Sequence, residues 1–312
     1  MQRVRPMERA DRRISVVVLT HDRCDELLRT VERLRALPER PRIVVVDNAS
    51  RDATVQRLRE RHPDVALVAL DENLGAAGRN AGVARVDTPF VAFCDDDTWW
   101  EPGAVRRAAD LLQSHPSLGC LSARVLIGPE NRPDPTCERM AASPLPRDGL
   151  PGPALMGFMA GACVMRTAAF RAAGGYEPRF FLGAEEPLLA LDMAAAGWRI
   201  AYVPELLLHH HPSSARDAAA RRLVLARNRL WLAWLRLPLP LAWHETRKLL
   251  REARDSQHLA RTLAAALRGM AWVVGARRVV PAHVAAMFAL VHGGPPPRVG
   301  ASRRRPAPDI AR

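Results

Sequence analysis

The chain has 312 residues, 48% of them hydrophobic and 25% charged, which is the composition of a globular protein rather than a disordered one. The net charge of +13 comes almost entirely from arginine and predicts attraction to an anionic ligand or surface. Five widely spaced cysteines without a CxxC pair argue against a disulfide framework and favour a reducing cytosol. Residues 1–13 lead into no apolar signal segment, and no uncharged apolar run reaches the roughly 20 residues that span a bilayer. We therefore expect a cytoplasmic protein without a transmembrane helix.

Strands and helices are predicted to alternate over the N-terminal third of the chain. Short β-branched runs predict four buried strands, at residues 14–20, 42–50, 65–70 and 89–97. Amphipathic segments between these runs predict helices, and such alternation is typical of a parallel α/β sheet. All four predicted strands end in polar residues. Because ligands of these sheets bind beyond the carboxyl ends of the strands, we expect the functional site at this edge.

The remaining sequence divides by composition. Residues 128–153 are rich in Pro and Gly and predict a long surface loop. We expect an α/β domain over residues 14–212, a helical extension over 213–293 and a basic disordered tail over 294–312, with residues 1–13 as an N-terminal tail. The helical extension carries Leu, Trp and Arg on different faces. That pattern fits either packing against the α/β domain or peripheral contact with an anionic membrane.

Three adjacent carboxylates, Asp95, Asp96 and Asp97, end the fourth predicted strand. Their burial is costly because like charges repel and each group loses hydration, so we expect a positive charge beside them. Two aspartates with one residue between them have the spacing and the oxygen ligands that suit Mg²⁺ or Mn²⁺ shared with a phosphate. The alternative is a solvated acidic turn without a metal.

Five segments in order carry a resemblance to a known family: VVVLTHDR, VVVDNAS, ENLGAAGRNAG, FCDDD and GGYEPRFFLGAEEPLLALDMAAAGW. Together they resemble the family 2 glycosyltransferases with the GT-A fold, especially the rhamnosyltransferase-like bacterial branch, over residues 14–212. The resemblance implies a Rossmann-like, mostly parallel sheet flanked by helices. It also implies inverting transfer of a sugar from a UDP-, dTDP- or GDP-linked donor to a hydroxyl of a glycan or lipid-linked acceptor in cell-envelope synthesis.

The resemblance also implies a donor site at the strand ends. Thr20, Asp47 and Ser50 would contact the base and ribose, although Asp47 could instead cap the following turn. The glycines of GAAGRNAG allow a ligand to approach the backbone closely, and Arg79 fits either phosphate contact or solvent exposure. The predicted donor site further includes Asn48, Asn73, Gly75, Asn80, Asp95 and Asp96.

The catalytic and metal residues follow from the same resemblance. Asp95 and Asp97 match the family's DxD-type motif and would hold a divalent cation on the donor diphosphate. His210 would complete the cation's coordination, although His209 and His211 beside it leave the choice open.

A pair of glutamates matches the start of the family's ED-type helix. Glu186 corresponds to the general base, and Glu185 would orient the acceptor; capping of the helix N-terminus is the alternative role for both. Leu188 and Asp192 depart from the family's Asp and Arg, which puts the acceptor's identity in doubt.

Two rival functions remain from the sequence. The departures from the family pattern fit a non-catalytic relative, and the high positive charge fits a nucleic-acid-binding protein. Against the second, the acidic strand ends would repel a phosphate backbone and no nucleic-acid-binding motif is present, so we expect no nucleic-acid partner. The expected location is the cytoplasm, with peripheral contact at the inner face of the cell membrane.

Overall fold

The computed structural model describes residues 10–212, 218–254 and 259–295. The N-terminal elements are β1 (Ile14–Thr20), α1 (Cys24–Arg35), β2 (Arg42–Asp47), α2 (Thr54–Arg61), β3 (Ala66–Ala69), α3 (Gly78–Ala84), β4 (Phe90–Asp95), β5 (Thr98–Trp100) and α4 (Ala104–Ser114). The next elements are β6 (Leu118–Ile127), β7 (Arg132–Pro133), α5 (Pro135–Ala141), β8 (Cys163–Arg166), α6 (Thr167–Ala172), α7 (Glu185–Ala195) and β9 (Arg199–His210). Five helices follow: α8 (Ala218–Arg236), α9 (Leu239–Arg254), α10 (Leu259–Arg268), α11 (Met270–Gly275) and α12 (Ala282–His292).

One mixed sheet organises these elements, in the strand order β3-β2-β1-β4-β8-β6-β9-β5, with β7 paired to β6. The first four strands form a parallel group, as the sequence predicts: β1 pairs with β2 and β4, and β2 pairs with β3. Beyond β4 the sheet continues with β8, which is antiparallel to both β4 and β6. The strand β9 is parallel to β6, and the short β5 pairs antiparallel with the C-terminal end of β9.

The register of the parallel half brings the polar strand ends together. Thr20 at the end of β1 is opposite Asp47 at the end of β2, and Leu19 is opposite Asp95 at the end of β4. The strands β1, β2 and β4 are almost wholly buried, which accounts for their continuous apolar sequences, whereas the edge strand β3 is partly exposed. The rigid core therefore ends at a polar edge.

The stretch 128–153 departs from the prediction of a long loop, because it contains β7 and the helix α5. The side chain of Asp134 accepts a hydrogen bond from the backbone N–H of Thr136 and caps this helix, and Pro135 occupies its first turn. A proline at that position favours the helix, since it needs no N–H donor there. Proline content alone predicted the loop.

The C-terminal helices pack against the α/β domain through α8. The guanidinium of Arg236 pairs with the carboxylate of Asp192 on α7 at 2.5 Å. Asn228 is fully buried and donates to the carbonyls of Phe180 and Gly183 at 2.7 and 2.6 Å. In the described ranges, no helix has the length and apolar character needed to cross a membrane.

Candidate active site

A cavity of about 590 Å³ lies between the sheet edge and the C-terminal helices. Its charged and polar wall includes side chains from α3, β4, α7 and β9, namely Arg79, Asp95, Glu185, Glu186 and His210. These five residues come from sequence positions as far apart as 79 and 210, so the fold alone assembles them.

Two carboxylates stand at the N-terminus of α7. The residue before them, Ala184, adopts a left-handed conformation with φ of 66°, and it turns the chain into the helix. Glu185 is buried, and burial followed by the neighbouring charge of Glu186 raises the pKa of Glu185 to about 8. Glu186 is only partly buried. Burial raises the pKa of Glu186 too, and backbone hydrogen bonds and the charge of Arg79 oppose this only in part.

An ion pair joins Arg79 to Asp95 on the cavity wall. Arg79 is buried, and its guanidinium lies 5.8 Å from the centre of the Tyr176 ring. The Asp95 side chain is half-exposed. Gly161 lies opposite it, and only a glycine fits there because a Cβ at this position would lie 2.5 Å from Asp95 Oδ2. The glycine thus leaves one carboxylate open to the cavity while Arg79 balances its charge.

The other two aspartates of the trio turn inward towards Arg23. Its Nη1 lies 3.1 Å from Asp96 Oδ1 and 2.7 Å from Asp97 Oδ2. Burial raises the pKa of Asp96 to about 7, and the charges of Asp97 and Asp95 add to this against the opposing effect of Arg23. Burial also acts to raise the pKa of Asp97, but the combined effects of His210 and Arg23 outweigh it and the pKa is lowered.

The three adjacent histidines have different surroundings. His210 lines the cavity, and its Nε2 lies 3.5 Å from Asp97 Oδ1. His209 instead contacts Glu101 at 2.6 Å and stacks on Trp99, with ring centroids 5.5 Å apart. His211 packs edge-on against the same Trp99 ring. Of the three histidines, His210 is therefore the one that lies beside the aspartate trio.

The donor atoms near the cavity fit a divalent cation that shares its coordination with a ligand. Within the described residues, no three acidic, histidine or cysteine side chains form a ready metal cluster. Asp95 and His210 nevertheless line the cavity, and the inward-facing Asp97 lies behind His210, with its Oδ1 3.5 Å from His210 Nε2. Mg²⁺ and similar ions commonly take one or two carboxylates and complete their sphere with substrate phosphates.

A second polar feature lies at the ends of β1 and β2, outside this cavity. Asp47 is buried, and its Oδ2 accepts the backbone N–H of Ser50 at 3.1 Å. Its Oδ1 is also buried and has no hydrogen-bond partner among the described residues. A buried acceptor without a partner is costly, which fits a ligand that donates a hydrogen bond there.

Comparison with known proteins identifies the family. Residues 15–173 match the family model described as glycosyl transferase family 2. The chain belongs to this family. An N-acetylglucosaminyl-diphospho-decaprenol L-rhamnosyltransferase from Mycobacterium tuberculosis is 28% identical over 247 residues, which span 66% of this chain and 79% of that relative. A pre-mycofactocin glycosyltransferase from the same organism is 28% identical over 228 residues, or 70% of this chain and 47% of that relative.

Among solved structures, a mannosyltransferase from Pyrobaculum calidifontis in complex with GDP-Man and Mn²⁺ is similar in fold. Its TM-score is 0.53 at 20% sequence identity, and the match covers 90% of this chain and 85% of that one. The chain is therefore a glycosyltransferase with the GT-A fold, and both of these predictions are confirmed.

Several residues predicted to bind the donor in this glycosyltransferase form hydrogen bonds to the protein's own loops. Asn48 donates to Asn73 Oδ1 at 2.8 Å and accepts the backbone N–H of Leu74 at 2.9 Å. Asn80 makes both of its amide hydrogen bonds to the backbone of Tyr176, at 2.8 and 2.9 Å. These hydrogen bonds support the strand ends, and donor binding by Asn48 and Asn80 stays a prediction.

Gly75 also serves packing within the glycosyltransferase. It has a φ of 58°, and a Cβ there would lie 2.0 Å from the carbonyl oxygen of Phe181. Thr20 is buried at the end of β1, whereas Ser50 is partly exposed and accepts the backbone N–H of Asp22. Of the predicted donor residues near the ends of β1 and β2, Thr20 and Asp47 each have a buried side-chain oxygen without a hydrogen-bond partner among the described residues, Oγ1 and Oδ1 respectively.

Sequence reasoning missed three residues that shape this site. Arg23 balances Asp96 and Asp97, Gly161 leaves space beside Asp95, and Asn228 fixes the segment that leads into α7. The sequence predicts a positive charge beside the acidic trio, and Arg23 supplies such a charge to two of the three aspartates. The sequence feature that could have indicated Arg23 is its position three residues after the end of β1.

Proposed function

We propose that this glycosyltransferase inverts the anomeric centre of a nucleotide-diphosphate sugar as it transfers the sugar to an acceptor hydroxyl. The single observation that carries the proposal is the position of Glu186, partly exposed in the cavity with a raised pKa. A carboxylate of raised pKa is a stronger base than an ordinary one and is better matched to proton abstraction near neutral pH.

The chemistry is assigned to the two glutamates. Glu186 takes the proton of the acceptor hydroxyl while the acceptor oxygen attacks the anomeric carbon. The bond from that carbon to the diphosphate breaks, and its electron pair leaves with the diphosphate. Glu185, with a pKa of about 8, is mostly protonated at pH 7 and can donate a hydrogen bond that positions the acceptor.

The leaving diphosphate needs positive charge. Asp95, Asp97 and His210 would hold a Mg²⁺ or Mn²⁺ ion there, and a bound ion supplies charge stabilisation for the departing oxygens. Arg79 adds a permanent positive charge on the same wall, beside Asp95. On the donor's other side, the unpartnered Oδ1 of Asp47 is the proposed acceptor for the nucleotide base.

The proposed donor is nucleotide-linked L-rhamnose, and the proposed acceptor is a lipid-linked N-acetylglucosaminyl diphosphate. Support comes from the mycobacterial relative, whose name gives this sugar and this type of acceptor. The cavity also has an apolar portion suited to a lipid-linked molecule. Its members are Phe158, Leu182, Leu225, Leu232 and Phe288.

Contact with an anionic membrane at its cytoplasmic face would bring the enzyme to such an acceptor. Large apolar side chains stand exposed on α9 and α12, including Leu239 at 55%, Trp243 at 50% and Leu290 at 56%. Exposed arginines lie on the same α9 helix, at Arg247 and Arg251. Sedimentation with phosphatidylglycerol vesicles tests this contact, which Trp243→Asp should weaken; equal binding to phosphatidylcholine vesicles would contradict the electrostatic part.

A donor screen tests the proposed function. The folded enzyme is heated with UDP-, GDP- and dTDP-linked sugars, each with and without Mn²⁺, and its melting temperature is recorded. Stabilisation by dTDP-L-rhamnose that depends on Mn²⁺ is expected, because a ligand that binds only the native state raises stability. Transfer to a short-chain lipid diphosphate of N-acetylglucosamine is then followed by mass spectrometry. Failure of every donor to stabilise the enzyme or to react would contradict the proposal.

A further inference from the structure

The cavity continues past the glutamates to a second polar group on the C-terminal helices. Arg229 of α8, Glu245 of α9 and His292 of α12 all line it. None of them belongs to the segments that resemble the family, and the catalytic scheme above uses none of them. Three polar side chains from three separate helices thus line the same cavity as the two glutamates.

Glu245 carries the clearest sign of a missing partner. Its Oε1 is buried and has no hydrogen-bond partner among the described residues. A buried carboxylate oxygen in this condition costs free energy unless a ligand donates to it. The Glu245 side chain also lines the cavity, so a bound molecule would lie beside this carboxylate, although Oε1 itself is shielded from solvent.

His292 and Arg229 define what kind of ligand fits beside Glu245. The His292 ring stacks on Phe288 with centroids 4.2 Å apart, and burial together with Lys248 and Arg229 lowers the pKa of His292 to about 4. It is therefore neutral at pH 7 and offers one donor and one acceptor. Arg229 is already paired with Glu252 at 2.8 Å, so part of its charge is balanced.

The donor nucleotide is not the natural occupant of this end. Thr20 and Asp47, at the proposed nucleotide pocket, do not line the cavity, whereas Asp95 and Glu186 do. A molecule that contacts both Glu186 and Glu245 therefore occupies space outside the proposed nucleotide pocket. Within the proposed reaction, that molecule is the acceptor.

We infer that Arg229, Glu245 and His292 form a distal acceptor subsite, in which Glu245 accepts hydrogen bonds from hydroxyl or amide N–H groups on a part of the acceptor glycan that does not react. This inference rests on the proposed function. Sugar hydroxyls and acetamido groups are the donors that a neutral imidazole and a carboxylate recognise together. Apolar neighbours such as Leu232 and Phe288 provide contact for the C–H faces of the sugar.

Steady-state kinetics of Glu245→Gln test the subsite, with dTDP-L-rhamnose, Mn²⁺ and a decyl diphosphate of N-acetylglucosamine as the acceptor probe. The substitution keeps the shape and removes the charge. We expect the KM for the acceptor to rise about tenfold, the size of one lost charged hydrogen bond, with kcat and the KM for the donor within twofold of wild type. Glu60→Gln is the matched control, because Glu60 is exposed on α2 and, among the described residues, its side chain accepts a hydrogen bond only from Gln56, at 2.9 Å.

The outcomes separate the subsite from the reaction. Normal transfer with an unchanged acceptor KM in Glu245→Gln overturns the subsite alone. A fall in kcat with an unchanged acceptor KM also overturns it, since that result places Glu245 in the chemistry instead. If wild-type enzyme neither binds dTDP-L-rhamnose nor transfers any sugar, the proposed function is overturned, and the subsite with it. Urea unfolding of both variants checks that the fold is retained.

Discussion

The guanidinium of Arg23 lies 2.7 Å from Asp97 Oδ2 and 3.1 Å from Asp96 Oδ1, so one cation of the chain serves two of three adjacent aspartates. Arg79 serves the third, Asp95. The chain thus offsets much of the cost of crowding three carboxylates at the end of β4. Asp95 keeps the most open position of the three, which leaves it available to a ligand.

The pKa of Asp96 predicts how stability depends on pH. Its carboxyl titrates near pH 7 in the folded protein but near pH 4 when unfolded. Between these values only the folded state holds the proton, so this group's contribution to the free energy of unfolding falls as pH rises and is lost above pH 7. In Asp96→Asn the contribution is absent. As the pH is raised from 5 to 8, the free energy of unfolding of the variant should therefore increase by about 2 kcal/mol relative to that of wild type.

Urea unfolding of both proteins at pH 5, 6, 7 and 8 measures this difference. Asp87→Asn is the control, because Asp87 is an exposed partner of Arg42 and should leave the pH dependence unchanged. A constant difference between wild type and Asp96→Asn across the range would show that Asp96 has an ordinary pKa.

Two neighbouring histidines provide a matched test of the cation site. His210 lies beside Asp97 at the cavity, whereas His209 contacts Glu101 and Trp99. We expect His210→Ala to raise the Mn²⁺ concentration for half-maximal transfer about tenfold, since one ligand is lost. His209→Ala should leave that concentration unchanged. An equal effect of the two substitutions on the Mn²⁺ requirement would argue against His210 as a ligand.

Asn228 links the helical extension to the catalytic helix. Its amide donates to the carbonyls of Phe180, Leu182 and Gly183, directly before α7. Asn228→Leu removes the side-chain donor from these carbonyls, of which that of Phe180 still accepts the backbone N–H of Leu182, and should lower the free energy of unfolding by about 2 kcal/mol, measured in urea. It should also lower kcat, because the start of α7 is then less well fixed.

The matched control is Gln56→Leu on α2, because within the part of the chain that the structure describes the Gln56 amide donates only to Glu60, at the surface. It should change the free energy of unfolding by less than about 0.5 kcal/mol. If hydrogen exchange of the amides at 181–184 is the same in Asn228→Leu and wild type, then Asn228 does not hold this segment.

The parallel half of the fold could be predicted from local sequence, and the rest could not. Each of β1, β2 and β4 is an apolar run that ends in polar residues, which is a signal contained within the strand itself. The insertion of β8 between β4 and β6 depends on long-range antiparallel pairing, for which the sequence has no local mark. The helix at Pro135 was missed since proline favours both loops and first helical turns.

The candidate site shows the same division. Asp95, Glu185 and Glu186 stand in segments that resemble the family, His210 follows the last of these segments, and the structure brings all four to one cavity. Arg23 is one of 46 basic residues, and although its place after β1 was a signal, its contact with Asp97 depends on the fold. Glu245 belongs to an ordinary amphipathic helix, so no pattern indicated its position in the cavity.

The role of Glu186 as the base is the central claim, and single-turnover transfer by Glu186→Gln tests it most directly. Saturating dTDP-L-rhamnose, Mn²⁺ and the decyl diphosphate acceptor remove any difference in binding, and donor affinity is measured separately by titration. The account predicts transfer slower by about 10²- to 10⁴-fold with a donor Kd within twofold of wild type, because only proton abstraction is lost. Transfer at the wild-type rate by a folded, donor-binding Glu186→Gln enzyme would contradict it.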